Sequence, residues 1–361
     1  MRTLLTGLLA IVTLVAAAPA KAATTIQMPA LTGQYPVGTT DLHLVDSGRQ
    51  DPWRPDNKRE LMVTVSYPAL RGGQRAPLLG PAVATAVNAE LLLTPGAVDW
   101  RSVRRHAATG APVAPGRWPV LLVSHGFGSV REMHAGLVDD LASHGYIVVS
   151  ISHTFEAAAV EFPGDRVAHS VVGSWANTRK AIDTRVADTR FVLSQLRLPG
   201  ADLDHVGMVG HSYGGFTAGE TMLQDQRIDA GVNLDGAMPG DVTKGLDRPF
   251  LLVGSQGHSH LATEQDPSWA QFWSNQRGWK RDLNLGRGAH YGFTDLQFAL
   301  PQMDFLTPAQ RAPYIGTIDP AGSLAVQHDY LAAYFDLHLK GIDRHLFDGD
   351  SPSYPDARFV P

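Results

Sequence analysis

No cysteine occurs in the 361 residues of this chain. That one absence excludes disulfides, cysteine-ligated zinc and a thiol nucleophile. Basic clusters are missing too: 30 Lys and Arg are scattered among 35 Asp and Glu, for a formal charge of −5, so a nucleic-acid partner is not expected. There is no internal repeat and no low-complexity tract. Long apolar stretches are confined to one place, Leu4 to Ala18, which follows Met1-Arg2 and precedes Ala20-Lys21-Ala22. A positive start, a short uncharged apolar run and small residues at the cleavage positions predict a signal peptide over 1–22, removed after Ala22. The run is short for a membrane span, and with no cysteine after it a thiol-linked lipid anchor is excluded. The mature chain is therefore expected to be secreted or periplasmic, and 23–361 is expected to form one α/β domain.

What is present centres on His205-Val-Gly-Met-Val-Gly-His-Ser-Tyr-Gly-Gly215. An apolar strand-like run leads into Gly210-His-Ser-Tyr-Gly214, a match to G-x-S-x-G, and helix-compatible residues follow from Phe216. With 36 glycines in the chain, the bare pattern could arise by chance. Strand before and helix after give it meaning: a serine on a sharp strand-to-helix turn presents its hydroxyl above the sheet, and glycines two residues either side avoid a clash. Ser212 is thus the candidate nucleophile.

The rest of the chain alternates. Asp41–Asp46 could form an edge strand, and Leu61–Tyr67 is rich in β-formers, giving an antiparallel start. Val120–Val123 reads as a buried parallel strand and runs into the turn His125-Gly-Phe-Gly128. A helix over 137–143, a strand over 146–151 and a helix over 175–196 follow, the pattern of a parallel sheet with crossovers. On that last helix Arg179/Asp183 and Arg185/Asp188 read as charge pairs of a solvated face. His153 to Arg166 reads as a loop and 348–361 as a loosely held tail. The stretch 77–114 has two readings: a helix packed on the core, or a cap over the site whose Leu91-Leu92-Leu93 meets acyl chains or a lipid surface.

Two further strands, Ala230–Asp235 and Phe250–Gly254, lead to a histidine between glycines, Gly288-Ala-His-Tyr-Gly292. The order Ser212, Asp235, His290 is that of a hydrolase triad. A serine hydroxyl needs a base, an imidazole titrates near neutrality, and a buried carboxylate must fix its tautomer. Backbone N–H groups of Phe127 and Tyr213 are placed to form an oxyanion hole. His258, His260 and His328 compete for the base, and Glu264 and Asp266 for the acid. Asp235 is preferred because it sits at a strand end. His258 and His260 could suggest a metal pair, but no third ligand with the spacing of a zinc site accompanies them.

Taken together, Ser124-His-Gly-Phe-Gly128, Leu141-Ala-Ser-His-Gly-Tyr146, Gly210-His-Ser-Tyr-Gly-Gly215, Leu234-Asp235 and Gly288-Ala-His290 resemble the plasma-type platelet-activating factor acetylhydrolase family and its bacterial lipase and esterase relatives. Arg59-Glu-Leu-Met-Val-Thr-Val-Ser-Tyr-Pro68 resembles the family's first strands. The resemblance covers most of the mature chain. It implies an α/β-hydrolase fold and a calcium-independent, cofactor-free serine esterase. It also supports Asp235 as the acid and Phe127 and Tyr213 as the oxyanion donors. It leaves acyl length, head group and oligomeric state open. A polyester hydrolase, an amidase on the same triad and a non-catalytic binding protein are the alternatives.

Overall fold

The computed structural model describes residues 23–94, 96–173 and 178–361; the expected signal peptide and the start of the helix expected from Trp175 lie outside them. The strands are β1 (Val37–Gln50), β2 (Lys58–Pro68), β3 (Gln74–Pro77), β4 (Arg104–Thr109), β5 (Trp118–Ser124), β6 (Ile147–Ser152), β7 (Ala159–Phe162), β8 (Arg166–His169), β9 (Ala201–His211), β10 (Ala230–Leu234), β11 (Phe250–Gly254), β12 (Lys280–Leu285) and β13 (Ala357–Phe359). Eleven of them make one sheet in the order β13-β12-β11-β10-β9-β5-β6-β2-β1-β4-β3, and β7-β8 is a separate hairpin. From β6 through β5, β9, β10 and β11 to β12 the pairing is parallel. β2 joins β6 antiparallel, and β1 joins β2 likewise.

Both sheet faces are covered, as a parallel sheet requires. Along β5, Val120 and Leu122 join one core, while Leu121 and Val123 join the other, the two-residue alternation of a strand. On the first face lie α3 (Thr178–Gln195), α4 (Tyr213–Gln224) and α5 (Pro267–Asn275); on the second lie α2 (Ala135–Ser143) and, after the short α6 (Leu296–Ala299) and α7 (Pro308–Ile315), α8 (Pro320–Phe335). Among the described residues no helix is long and apolar enough to cross a membrane.

The stretch 77–114 divides. Its helix, α1 (Pro81–Glu90), buries Val83 and Val87 in a third cluster with Trp100, Val130, Met133 and Leu296. Its second half supplies β4, which pairs with β1 and β3.

Several local expectations are corrected. The strand expected over Asp41–Asp46 lies within the longer β1, where 41–46 pair with β2 and β4 reaches only Gly38 and Thr39. Part of the expected 153–166 loop is β7. The tail is held: Leu283 and Leu285 pair with Phe359 and Ala357, and Ala357 is fully buried. β12 itself escaped the sequence reading because Lys280, Arg281 and Asp282 hide its alternation.

Candidate active site

The parallel strands end on one edge, and the expected site residues gather there. Ser212 lies between the end of β9 and the start of α4, with φ 56° and ψ −124°. That backbone is costly for a residue with a side chain, and it marks a site held by its surroundings. Gly210 and Gly214 make it sterically feasible: a Cβ on Gly210 would stand 2.0 Å from the Gly214 carbonyl oxygen, and one on Gly214 the same distance from that of Ser124. The turn is therefore locked against the end of β5.

Asp235 follows β10, also at positive φ (60°), and its N–H donates to Val253. His290 follows β12. Its Nδ1 is 2.7 Å from Asp235 Oδ2 and its Nε2 is 2.9 Å from Ser212 Oγ. With the carboxylate at Nδ1, the imidazole proton belongs there, and Nε2 is left to accept from the serine. His211 steadies this arm. Its Nε2 donates to the His290 carbonyl at 2.9 Å, and burial, followed by the nearby His290 and His134, holds its pKa well down, so it is neutral.

The rivals sort themselves by position. His328 sits on α8 against Asp140 of α2. His260 donates to Asp282 at 2.7 Å and stacks on Trp273. Glu264 is exposed, and Asp266 caps α5 by accepting from the Ser268 N–H. His258 is the surprise: its Nδ1 meets the other Asp235 oxygen at 2.8 Å and its Nε2 meets Asp266 at 3.2 Å. The Ser255 N–H and hydroxyl complete four donors to Asp235. Burial pushes the Asp235 pKa up, but the bonds from His258 and His290 outweigh it and hold the carboxyl well below its usual range.

On the other side of Ser212, the loop after β5 lies close. A Cβ on Gly126 would be 3.4 Å from the Ser212 Cβ. The rings of Phe127 and Tyr213 meet edge to face at 5.5 Å. Behind them one of the two charge pairs expected on a solvated face of α3 is overturned: Arg185 and Asp188 are fully buried and do not pair with each other. Arg185 donates to the carbonyls of His125 (2.6 Å) and Gly126 (3.2 Å) and to Ser124 Oγ (3.1 Å). Glu156 holds the same guanidinium with both oxygens, at 2.6 and 2.5 Å. Ser124 in turn meets His153, which meets Asp188, which is bound by Arg59. The Gly126 carbonyl is also 2.7 Å from His125 Nδ1. In a planar trans peptide this turns the Phe127 N–H to the opposite side.

Next to His290, Tyr291 shares a recess with Ser129, Met133, Val87 and Glu90 of α1 and the Leu91 that follows them. For a metal, the described residues bring together one group, the exposed Asp343, His345 and Asp348, which does not include His258 or His260.

A mostly parallel sheet carrying a strained strand-to-helix serine, a carboxylate after one strand and a histidine after a later one defines the α/β-hydrolase fold. Within it the chain belongs to the family described as platelet-activating factor acetylhydrolase, isoform II, whose model matches residues 87–183 and 178–351. The chain is 31% identical over 265 residues to a probable 1-alkyl-2-acetylglycerophosphocholine esterase of Arthroderma benhamiae, covering 67% of this chain and 66% of that protein. It is 26% identical over 293 residues to platelet-activating factor acetylhydrolase of Cavia porcellus, covering 69% and 65%. The matched chain thus spans just under two thirds of these curated relatives. A ferulic acid esterase from Streptomyces cinnamoneus has a similar structure, with a TM-score of 0.83 and 37% identity over 93% of this chain and 99% of that one.

Proposed function

We propose that the protein is a carboxylic ester hydrolase in which Ser212, His290 and Asp235 form an acyl-enzyme triad. The observation that carries this reading is the His290 ring, bonded to Asp235 through Nδ1 and to Ser212 Oγ through Nε2. Ser212 Oγ attacks the ester carbonyl carbon while His290 Nε2 takes its proton. The N–H groups of Phe127 and Tyr213 receive the oxyanion. The C–O bond to the alcohol then breaks, and the alcohol leaves with the proton from His290. Water repeats the sequence on the acyl-enzyme and restores the serine. Asp235 keeps the imidazole oriented and stabilises it when charged. No step uses a cofactor.

Short to medium acyl lipids are the first substrate reading, supported by the named relatives. Hydroxycinnamate esters are the second, supported by the ferulic acid esterase likeness. Rates on p-nitrophenyl esters, short-chain phosphatidylcholines and methyl ferulate, each with the Ser212→Ala control, decide between them. Uniform failure of the esters defeats the proposal. The protein is further proposed to be exported after cleavage at Ala22; N-terminal sequencing of the secreted form should begin at Ala23.

A further inference from the structure

We propose that His258 is a positioning residue for ester hydrolysis: an imidazolium clamped between Asp235 and Asp266 that fixes the carboxylate orienting His290. The proposal rests on the triad reading above. Its basis is the pair of carboxylates on one ring, Asp235 Oδ1 at Nδ1 (2.8 Å) and Asp266 Oδ2 at Nε2 (3.2 Å). A neutral imidazole has a single N–H, so one nitrogen would face a carboxylate lone pair to lone pair; with both protons each nitrogen donates. The same argument excludes His258 as a base.

The surroundings keep the ring in place. It stacks on Trp269 at 4.0 Å with an interplanar angle of 28°, a favourable seat for a cation. Trp269 donates to the Gly236 carbonyl at 2.7 Å, tying the stack to the turn that carries Asp235. The charged groups facing His258 are Asp235 from the end of β10 and Asp266 at the start of α5. His290 lies across the same carboxylate. From β12 comes only the neutral Asn284 amide, which donates to the His258 carbonyl, while His260 is turned onto Asp282. Burial opposes protonation of His258, but Asp235 and Asp266 outweigh it and raise its pKa to about 9.

The consequence for His290 has a sign. A cation on Asp235 shares the charge that would otherwise favour protonated His290. Removing the cation should therefore raise the basicity of His290, and neutralising Asp266 should lower it.

The test compares His258→Asn and Asp266→Asn by steady-state hydrolysis of p-nitrophenyl acetate from about pH 5 to 9. Asn also caps helices, so the second variant preserves the start of α5. For His258→Asn we expect kcat to fall roughly tenfold or more, the scale of one lost charge-assisted hydrogen bond, with KM little changed. Its rising pH limb should move to higher pH, whereas that of Asp266→Asn should move to lower pH. A purely structural role gives no opposed shifts, so limbs unmoved or moved in one direction overturn the proposal. Should His258→Asn fail to fold, a wild-type limb in Asp266→Asn overturns it alone. Fluorophosphonate labelling of the same proteins separates the two readings. Label on Ser212 with unmoved limbs removes the role of His258 only; label on another residue removes the triad and this proposal together.

Discussion

The histidine half of the proposed site is assembled from strand ends, whereas the half proposed to receive the oxyanion is braced from behind by buried ions. Ser212, Asp235 and His290 each follow a strand of the parallel block, and the sheet sets their spacing. The loop 125–128 leans on Arg185 and Glu156, backed by His153, Asp188 and Arg59, residues drawn from β2, the loop after β6 and α3. The first half depends on where the backbone turns. The second depends on charges that have lost their water and must satisfy one another.

The largest effect should come from the first half. Ser212→Ala removes the proposed nucleophile and should cut ester turnover by roughly four orders of magnitude or more, since a triad acts as a unit. The melting temperature should stay near wild type, because the mutation leaves every bond of the ionic brace intact. A Ser212→Ala enzyme that retains turnover breaks the comparison at its root.

Arg185→Met should come next and strike the second half. It frees the His125 and Gly126 carbonyls and strands Glu156 without its cation. Breaking a buried pair this way costs about 3–5 kcal/mol of stability. A misdirected Phe127 N–H should also cost up to roughly a hundredfold in kcat, the scale of one oxyanion donor. Adding Glu156→Gln should restore much of the stability while leaving kcat low. Recovery of both in the double variant would show that Arg185 serves only the fold.

The two halves also differ in how far they could be read from sequence. G-x-S-x-G and its flanking strand fixed Ser212, and strand-end position favoured Asp235 over Asp266, because both signals are local. Arg185 and Arg179 look alike in sequence, each with an acid three or four residues on. Only tertiary packing separates them: Arg179 keeps its i,i+4 partner Asp183 in solvent, while Arg185 faces β5 and exchanges Asp188 for Glu156. His258 was hidden for another reason. Its partners Asp235 and Asp266 come from different elements, and its neighbour His260, which suggested a metal pair, is turned onto Asp282. β12 was missed because its buried Asp282 is polar, its charge answered by His260.

pH should move the halves apart. Burial first, then nearby cations in part, pushes the pKa of His125, His134 and His153 down, that of His134 to about 4. The unfolded chain takes up these protons near pH 6.5, so stability is full above that value and falls as the pH drops towards about 4. His258 has the opposite sign. Its raised pKa gives stability that is full below about 6.5 and is lost as the pH rises through about 9. Melting curves should therefore decline on the acid side in both wild type and His258→Asn, while the alkaline decline flattens in the variant. An identical alkaline limb in the two proteins would remove the charge assigned to His258.

The smallest effect belongs to Arg179, and it sharpens the contrast along a single helix. Its side chain is 64% exposed, its bond to Asp183 is 3.0 Å, and Asp241 lies farther off at 3.6 Å. Solvent screens such a pair, and an exposed i,i+4 contact contributes about 0.3 kcal/mol or less. Arg179→Ala should leave the melting temperature within about a degree of wild type and kcat unchanged. Six residues further along α3, loss of the Arg185 guanidinium should lower both stability and kcat. If Arg179→Ala instead lowers kcat, the charge on the exposed face of α3 reaches the site by a route other than the buried brace. High salt then discriminates: it should abolish an effect carried through solvent and leave the Arg185 effect in place.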